Sequence, residues 1–448
     1  MEESNRGMED QKNMKWWQLS LFGVGCTIGT GFFLGSSLAI KMTGPSILIS
    51  FIIAAFGTYF VFDALSKMTA KDPQNGAFRS YAKKAYGRWA GFSSGWVYWC
   101  SEMLIMGSQM TALSIFSRFW FPKVHLWLFA TGYAILGLVV LLIGVQILNK
   151  MENFLAVLKI AAILMFIVIA ALALFGVIDG NRPLNIPNKA NEFFPKGFSG
   201  LWSSVIFAFY AFGGIEILGL MATRLKDPKE APKAGKVMLI TLTIIYVLSI
   251  GLAVTMTPWS AFNAKESPFI IALDHYHLSF VPHIFNGALI IAGFSTMAAS
   301  LFAVTSILVT LAEEGDAPAI FSKKGKLKVP VPALILTIVG ITASIITALV
   351  MPNRIYEYLT TAAGLMLLYN WIFILASSRK MLKLTVKDKM KYLIGAVFIL
   401  LAVFGTLFHG SSRPGFFISL LFIGIIGGVT LIMNSRWKKK ESFKPQPT

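Results

Sequence analysis

The first apolar stretch of the chain carries closely spaced glycines and reads Gly23-Val24-Gly25-Cys26-Thr27-Ile28-Gly29-Thr30-Gly31. A glycine in a helix interior costs about 1 kcal/mol relative to alanine. Unwound backbone inside a bilayer is tolerated only where protein buries it or where it lines a cavity. The stretch therefore predicts a membrane-spanning helix that is broken near residues 25–29 to line a site. Close packing of small residues is the alternative, and Gly31-x-x-x-Gly35 fits that explanation too.

A second break is predicted five apolar stretches later, at Phe209-Tyr210-Ala211-Phe212-Gly213-Gly214-Ile215-Glu216. Paired glycine-interrupted spans in the two halves of a chain are the best sequence indication of a transporter's binding site. A helix N-terminus carries partial positive charge, so the free amides of Thr30, Gly31 and Phe32 suit a carboxylate. At the second break, freed backbone carbonyls suit an ammonium group, and the aromatic side chains can close over a ligand.

The composition is that of an all-α polytopic membrane protein, since 56% of the residues are hydrophobic and 14% are charged. Hydrophobic patterning predicts twelve transmembrane helices, at 18–40, 44–66, 89–117, 125–147, 153–177, 199–222, 237–257, 284–311, 332–351, 356–377, 391–408 and 415–434. One membrane domain then covers 1–448, with a first repeat and N-terminal tail at 1–177, a second repeat at 199–377 and two additional helices at 391–434.

The net charge is +19, and the distribution of the basic residues along the chain indicates membrane topology rather than nucleic-acid binding. With a cytoplasmic N-terminus and an even number of spans, 30 of the 40 Lys and Arg residues fall on the inner side. This asymmetry follows the positive-inside rule and predicts a plasma-membrane protein with both termini in the cytoplasm and membrane lipid as a partner. The basic loop 67–88 is expected to contain an amphipathic segment. Its two sides are Phe78, Tyr81 and Ala82 on one, and Arg79, Lys83 and Lys84 on the other.

Three ionisable residues lie inside predicted spans, where such residues are functional hypotheses by default. Lys159 is a candidate proton carrier, or a fixed cation in the place of a metal ion, unless its side chain extends to the membrane interface. Glu216 and Glu102 can each take a proton, pair with a cation or select a positively charged substrate group. Structural pairing within the helix bundle is the alternative for both carboxylates.

Signals of enzymatic or metal chemistry are weak. Cys26 and Cys100 both lie in predicted spans, so neither a disulfide framework nor a metal site is expected. Three histidines cluster at His275, His277 and His283; His275-x-His277 could bind a metal, but the loop offers no obvious further ligands, so a solvated loop is expected. Gly91-Phe92-Ser93-Ser94-Gly95 matches a nucleophile elbow but starts an apolar helix with no strand before it. We therefore expect no enzyme, no cofactor and no metal, and the absence of a phosphate loop argues against direct coupling to ATP.

The sequence resembles the amino acid–polyamine–organocation superfamily over about residues 15–435. The segment from Gly25 to Phe33 is similar to that superfamily's first-span motif G-x-x-I-G-T/S-G-h-F, and the segment from Phe209 to Glu216 to its sixth-span motif F-x-x-F-x-G-h-E. Supporting similarity lies at Gly76–Gly95 with Trp96-Val97-Tyr98-Trp99, at Lys226-Asp227-Pro228 and at Glu314-Gly315-Asp316-Ala317-Pro318.

The resemblance implies a five-plus-five inverted-repeat (LeuT-like) core with two extra C-terminal helices, working by alternating access. It implies a secondary active amino acid transporter. Lys159 matches a lysine that replaces a sodium ion in several members, which leaves proton-coupled uptake as the main expectation and exchange, or a receptor on the same fold, as alternatives. The expected substrate-binding residues are Cys26, Thr27, Ile28, Gly29, Thr30, Gly31, Ser101, Glu102, Met106, Gln109, Phe209, Tyr210, Phe212 and Gly213, with Lys159 and Glu216 expected to act in coupling.

Three positions depart from the superfamily pattern. Arg224 stands where many members have a glutamate, so an inner-gate ion pair is expected to be rearranged. The eighth span reads Thr305-Ser306 and lacks the common Ser-Arg. Glu102 occupies a pocket position that is often neutral in relatives. A carboxylate there favours a cationic amino acid, or it holds a proton.

Overall fold

Helices make up the architecture of this chain in the computed structural model. The structure describes residues 14–442 apart from 75, 144, 179–183, 277, 279, 324–329 and 351–354. Within those residues no strand is formed, and the one β-type pairing is an isolated bridge between Met14 and Leu225. The predicted all-α fold class is therefore confirmed.

The helices follow one another with short connections. In chain order they are α1 Trp16–Thr27, α2 Thr30–Phe33, α3 Gly35–Thr43, α4 Ile47–Lys71, α5 Ala77–Tyr86, α6 Arg88–Ser117, α7 Leu126–Ile143, α8 Val145–Leu174, α9 Ala190–Phe193, α10 Gly197–Ala211, α11 Ile215–Met221, α12 Ala231–Met256, α13 Pro268–Leu273, α14 Val281–Glu313, α15 Val331–Val350, α16 Ile355–Met381, α17 Val386–Gly405 and α18 Arg413–Ser442.

Each predicted span overlaps mainly with one long helix, except for the two broken spans: 18–40 overlaps α1, α2 and α3, and 199–222 overlaps α10 and α11. Seven helical segments in the described part of the chain are long and apolar enough to cross a membrane, and two shorter apolar helices lie at 126–142 and 331–346. The count of twelve spans therefore stays a prediction. Helix α6 is not among the seven although it has 30 residues, because it carries many polar side chains toward the protein interior.

Helix α6 lies at the centre of the bundle and α18 at its edge. Helix α6 packs against α14 on one side and α16 on the other, and nearly all of its residues from Ala90 onward are buried. Only 17% of the most apolar window of α18 is buried. Polar residues on α6 therefore face protein rather than lipid, which is the setting in which intramembrane polar groups are tolerated.

Ion pairs connect α5 to the end of α14 at one end of the bundle, which we call the basic face (loops 67–88, 224–236, 314–318 and 379–391). Arg79 is fully buried and pairs with Glu314 and with Asp316. Lys83 also reaches Glu314, at 2.6 Å. Burial alone would raise the pKa of Glu314, but the hydrogen bond from Lys83 and the charge of Arg79 outweigh it and hold that pKa below its ordinary value. The amphipathic helix expected in loop 67–88 is present, but the placement of Arg79 on its polar surface was wrong, since two carboxylates draw the guanidinium inside.

We expect Arg79→Met to destabilise the protein by about 1.5–3 kcal/mol, because it removes a buried partner of Asp316, which then keeps only Arg88 among the described residues, at 2.8 Å. The matched control is Lys83→Met, which removes a partly exposed partner of the same Glu314 and should cost about 0–1 kcal/mol. Thermal unfolding in detergent measures both. Equal losses for the two variants would show that the burial of Arg79 is not what matters.

A second ionic cluster at the basic face joins α4 to α17. Lys67 lies 2.8 Å from Asp63 and 2.9 Å from Asp388. The hydrogen bond from Lys67 lowers the pKa of Asp388 to about 2, with help from Thr385. A carboxyl whose pKa is lowered by folding stabilises the protein above its ordinary pKa, 3.8 for Asp388, and loses that contribution as the pH falls toward 2.

The pH dependence of this cluster gives a second prediction. The thermal midpoint of the wild type should exceed that of Asp388→Asn at pH 6, and the difference should shrink as the pH is lowered below 4. Between pH 5 and 8 the difference should be constant, because the pKa of Asp388 lies well below that range. A difference that changes between pH 5 and 8 would refute this assignment.

Candidate functional site

The first predicted break is present between α1 and α2. Helix α1 ends at Thr27, and Ile28 and Gly29 have extended backbone angles. The amides of Phe32 and Phe33 both bond to the carbonyl of Gly29, at 3.1 Å. The amides of Thr30 and Gly31, the first two residues of α2, belong to the first turn, where a helix leaves its amides without an intrahelical partner.

The second predicted break lies between α10 and α11. Helix α10 ends at Ala211, and Gly214 has a φ of +115°, a left-handed conformation that glycine adopts without strain. The amide of Gly213 donates to the carbonyl of Tyr210 at 3.1 Å. One lone pair of that carbonyl oxygen is therefore occupied, and one remains to accept a hydrogen bond from an ammonium group.

Glycines allow the two breaks to touch. A β-carbon on Gly214 would lie 3.2 Å from Oγ1 of Thr27 and 3.3 Å from the carbonyl oxygen of Cys26. A β-carbon on Gly31 would lie 2.7 Å from the ring of Tyr210. The sequence predicted two breaks, and the fold brings their backbones into van der Waals contact.

A cavity of about 40 Å³ lies where the breaks meet. A volume of this size holds water molecules rather than an amino acid, so a larger ligand requires the lining to move apart. The residues expected to bind substrate that line it are Cys26, Thr27, Gly29, Thr30, Gly31, Glu102, Gln109, Tyr210 and Gly213. Residues that sequence reasoning missed are Ile105, Gly214, Ile217, Thr296, Ala299 and Ser300.

Four buried polar atoms that line this cavity have no hydrogen-bond partner among the described residues. They are Oγ1 of Thr27, Oγ1 of Thr30, Oε2 of Glu102 and Oε1 of Gln109. A buried polar atom left unpaired costs about 1–3 kcal/mol. A polar ligand that pairs with these atoms recovers that free energy, so the cavity is built for a molecule rich in hydrogen-bonding groups.

Some expected site residues on α6 and at the first break face elsewhere. Met106 belongs to an apolar cluster formed by residues of α6, α7, α14 and α15, and the hydroxyl of Ser101 donates to the carbonyl of Ala363 at 3.2 Å. Ile28 is fully buried in the main apolar core. The residues of α6 that line the cavity, Glu102, Ile105 and Gln109, form a stripe at spacings of three and four residues, and Ser101 and Met106 lie on either side of that stripe.

Of the three aromatic residues expected as gates, only Tyr210 lines the cavity. The ring of Phe209 packs against Trp371 and that of Phe212 against Tyr246, with centroids 5.9 and 5.2 Å apart. These rings lie on other faces of the same break, where they fill the core. A gating role for Phe209 or Phe212 has no support from their positions.

Tyrosine hydroxyls hold the ends of both breaks. Tyr210 shares a hydrogen bond of 2.5 Å with Ser108 on α6. Tyr356 donates to the carbonyl of Thr30 at 2.9 Å, and Tyr246 donates to the carbonyl of Ala211 at 3.1 Å. The bond from Tyr246 satisfies a carbonyl at the end of α10 that the second break releases, which is the condition for unwound backbone inside a bilayer.

Lys159 on α8 is hydrogen-bonded to the end of α1, next to the first break. Its side chain is 1% exposed, and Nζ donates to the carbonyl of Gly25 at 2.5 Å and to Oγ of Ser295 at 2.9 Å. The alternative in which Lys159 extends to the membrane interface is therefore excluded. The ammonium group joins α8, the end of α1 and α14.

Glu216 is buried next to the second break and does not line the cavity. Its carboxylate accepts hydrogen bonds from Nε1 of Trp371 and, at 3.2 Å, from the amide of Gly214. The pairing within the bundle that was the alternative for Glu216 is thus observed. Its expected part in coupling stays a prediction.

Two broken helices that meet at a polar cavity inside an apolar bundle define a multi-pass membrane transporter. The fold is similar to that of a manganese transporter from Eremococcus coleocola, solved as a mutant form, with a TM-score of 0.58 and 13% identity over 94% of this chain and 92% of that one. A family model described as amino acid permease matches residues 18–412, and the chain belongs to that family.

Curated relatives agree with this membership. The chain is 57% identical to an uncharacterized transporter of Bacillus subtilis (strain 168), YcgH, over 97% of both chains. It is 27% identical to the gamma-aminobutyric acid permease of the same organism, over 98% of this chain and 96% of that one. It is also 27% identical to the aromatic amino acid transport protein AroP of Escherichia coli (strain K12), over 84% and 82%. The protein is therefore a transporter and not an enzyme.

Proposed function

We propose that this amino acid permease is a sodium-independent secondary transporter that couples uptake to protons and works by alternating access. The observation that carries the proposal is the cavity where the two breaks meet, with its four unpaired polar atoms. In this proposal the substrate carboxylate binds the amides of Thr30 and Gly31 and the hydroxyls of Thr27 and Thr30. The α-amino group binds carbonyl oxygens at the second break near Gly213.

Lys159 supports sodium independence. Its ammonium group is bonded to a backbone carbonyl and to a hydroxyl, which are oxygen ligands of the kind a small hard cation would use. A fixed positive charge at this place leaves no need for a sodium ion to join α1 to α8 and α14. The same bonds tie the end of α1 to α8 and α14, so in this proposal Lys159 links coupling to movement of α1.

We propose that the basic face is cytoplasmic, as the positive-inside rule requires, and that 1–177 and 199–377 are the two repeats, with 391–434 added to them. Contacts between distant loops support a single basic face. Lys71 donates to the carbonyl of Met381, and Tyr86 donates to the carbonyl of Ala376. Both termini then lie in the cytoplasm of the cell. Labelling of a cysteine introduced at either terminus, in sealed right-side-out vesicles, should require a membrane-permeant reagent.

Uptake into proteoliposomes tests the function. We expect labelled amino acid to accumulate when the outside is more acidic than the inside, and not when the pH is equal. Replacing sodium by choline should change nothing. The panel should include gamma-aminobutyrate and aromatic amino acids, which two relatives are named for. Transport of no amino acid would refute the function, and uptake only into vesicles preloaded with amino acid would identify an exchanger instead.

A further inference from the structure

We infer that the substrate carries a second, distal ammonium group, as lysine and ornithine do, and that Glu102 on α6 binds that group. The inference rests on the proposed function and assigns a substrate class to the same cavity. It makes Glu102 a specificity-determining residue, as distinct from the break residues that bind the backbone groups common to all amino acids.

The first support is the state of Glu102 itself. Its side chain is 3% exposed and lines the cavity. The hydroxyls of Ser300 and Tyr98 lie beside its carboxyl group and interact with it, while its Oε2 atom has no hydrogen-bond partner among the described residues. Gln109 lies two helical turns further along α6 and also lines the cavity, with its Oε1 atom unpaired. The α6 wall of the cavity therefore presents two unpaired acceptor oxygens, and Glu102 is the one of the two residues that can carry the negative charge an ammonium group pairs with.

The second support is the charge of the lining. Among the described residues that line the cavity there is no Lys, Arg or His, so Glu102 has no cation of the protein in the cavity with it. Lys159 lies behind the first break and is bonded to Gly25 and Ser295. Burying a carboxylate without a counter-charge is costly, and a cationic ligand removes that cost.

The third support is that different residues line two parts of the cavity, one for the backbone groups that all amino acids share and one for the substrate's side chain. Thr27 and Thr30 belong to the first break, where backbone amides attract a carboxylate, while Glu102 and Gln109 belong to the α6 wall. An aliphatic or aromatic side chain on that wall would leave both acceptor oxygens unpaired. A site built to bond a polar group discriminates strongly against analogues that lack it.

Competition between matched ligands tests the inference. We expect lysine and ornithine to inhibit uptake of labelled lysine with affinities at least about tenfold higher than norleucine, which has lysine's carbon chain without its terminal amino group; a factor of ten corresponds to about 1.4 kcal/mol. In Glu102→Gln the affinity for lysine should fall more than that for norleucine, so the ratio approaches one. Glu102→Asp should restore part of the preference. Gln109→Leu, the matched control on the same wall, should reduce the ratio less, because it removes a neutral acceptor.

Each outcome decides between the alternatives. A wild type that transports norleucine as well as lysine would overturn the inference and leave the proposed function intact, whereas transport of no amino acid would overturn both. A preference for lysine that survives in folded Glu102→Gln would also overturn it. If Glu102→Gln instead loses accumulation of every amino acid while lysine still binds better than norleucine, Glu102 carries a proton and the inference fails. Should that variant not fold, the wild-type comparison of lysine with norleucine still decides.

Discussion

Lys159→Met is expected to abolish proton-driven accumulation of amino acids. The side chain makes charged hydrogen bonds to the carbonyl of Gly25 and to Ser295, and each such bond contributes about 1.5–3 kcal/mol. Methionine keeps the length of the side chain but offers no donor, so the end of α1 is no longer tied to α8 and α14. We expect the initial rate of uptake driven by a pH gradient to fall by about a hundredfold or more, at 1.4 kcal/mol per factor of ten.

Ser295→Ala is the matched control for this experiment. It removes one acceptor of Lys159 and leaves the ammonium group bonded to Gly25, so we expect a smaller loss of uptake. Both variants should be compared at equal amounts of folded protein, judged by size-exclusion chromatography. If Lys159→Met accumulates substrate with the same dependence on the pH gradient as the wild type, Lys159 has no part in coupling.

Gly214→Ala is expected to cause the second large loss of transport. Gly214 has a φ of +115°, and a β-carbon there would lie 3.3 Å from the carbonyl oxygen of Cys26. The alanine variant must hold a strained backbone, which costs about 1–3 kcal/mol, or shift α11 away from the end of α1. Either change disturbs the contact between the two breaks, so we expect uptake to fall at least about tenfold.

Gly132→Ala is the matched control for the break variant. Gly132 lies in the interior of α7, and a β-carbon there would meet nothing within 4 Å. Since alanine is the better helix former by about 1 kcal/mol, this variant should be neutral or slightly more stable, with unchanged uptake. Equal uptake by Gly214→Ala and Gly132→Ala would mean that close contact between the breaks is not required.

The fold could be predicted from the sequence because its main signals are local. Long apolar runs place the helices, and glycines in the middle of two runs place the breaks, since an uninterrupted helix would not tolerate so many of them. Arg79 shows where local signals end. Its position on an amphipathic helix predicts a surface side chain, but Glu314 and Asp316 lie more than 200 residues further along the chain and only the folded bundle brings them to it.

The site could be predicted only in part, for a related reason. The breaks themselves contribute backbone, so residues from Cys26 to Gly31 could be named from the glycine pattern, and all but Ile28 line the cavity. The wall formed by α6 and α14 depends on how each helix is rotated in the bundle. An error of one residue in rotation turns a side chain by about 100°, which is why Ser101 and Met106 were expected in the cavity while Ile105 and Thr296 were missed.

The most direct test of the central claim is a cryo-EM structure of the wild type with a transported amino acid bound. We expect density for the ligand between the two breaks, with its carboxylate within about 3.2 Å of the amides of Thr30 and Gly31. Continuous α-helix through residues 28–29 and 212–214, or a ligand bound away from these residues, would contradict the claim.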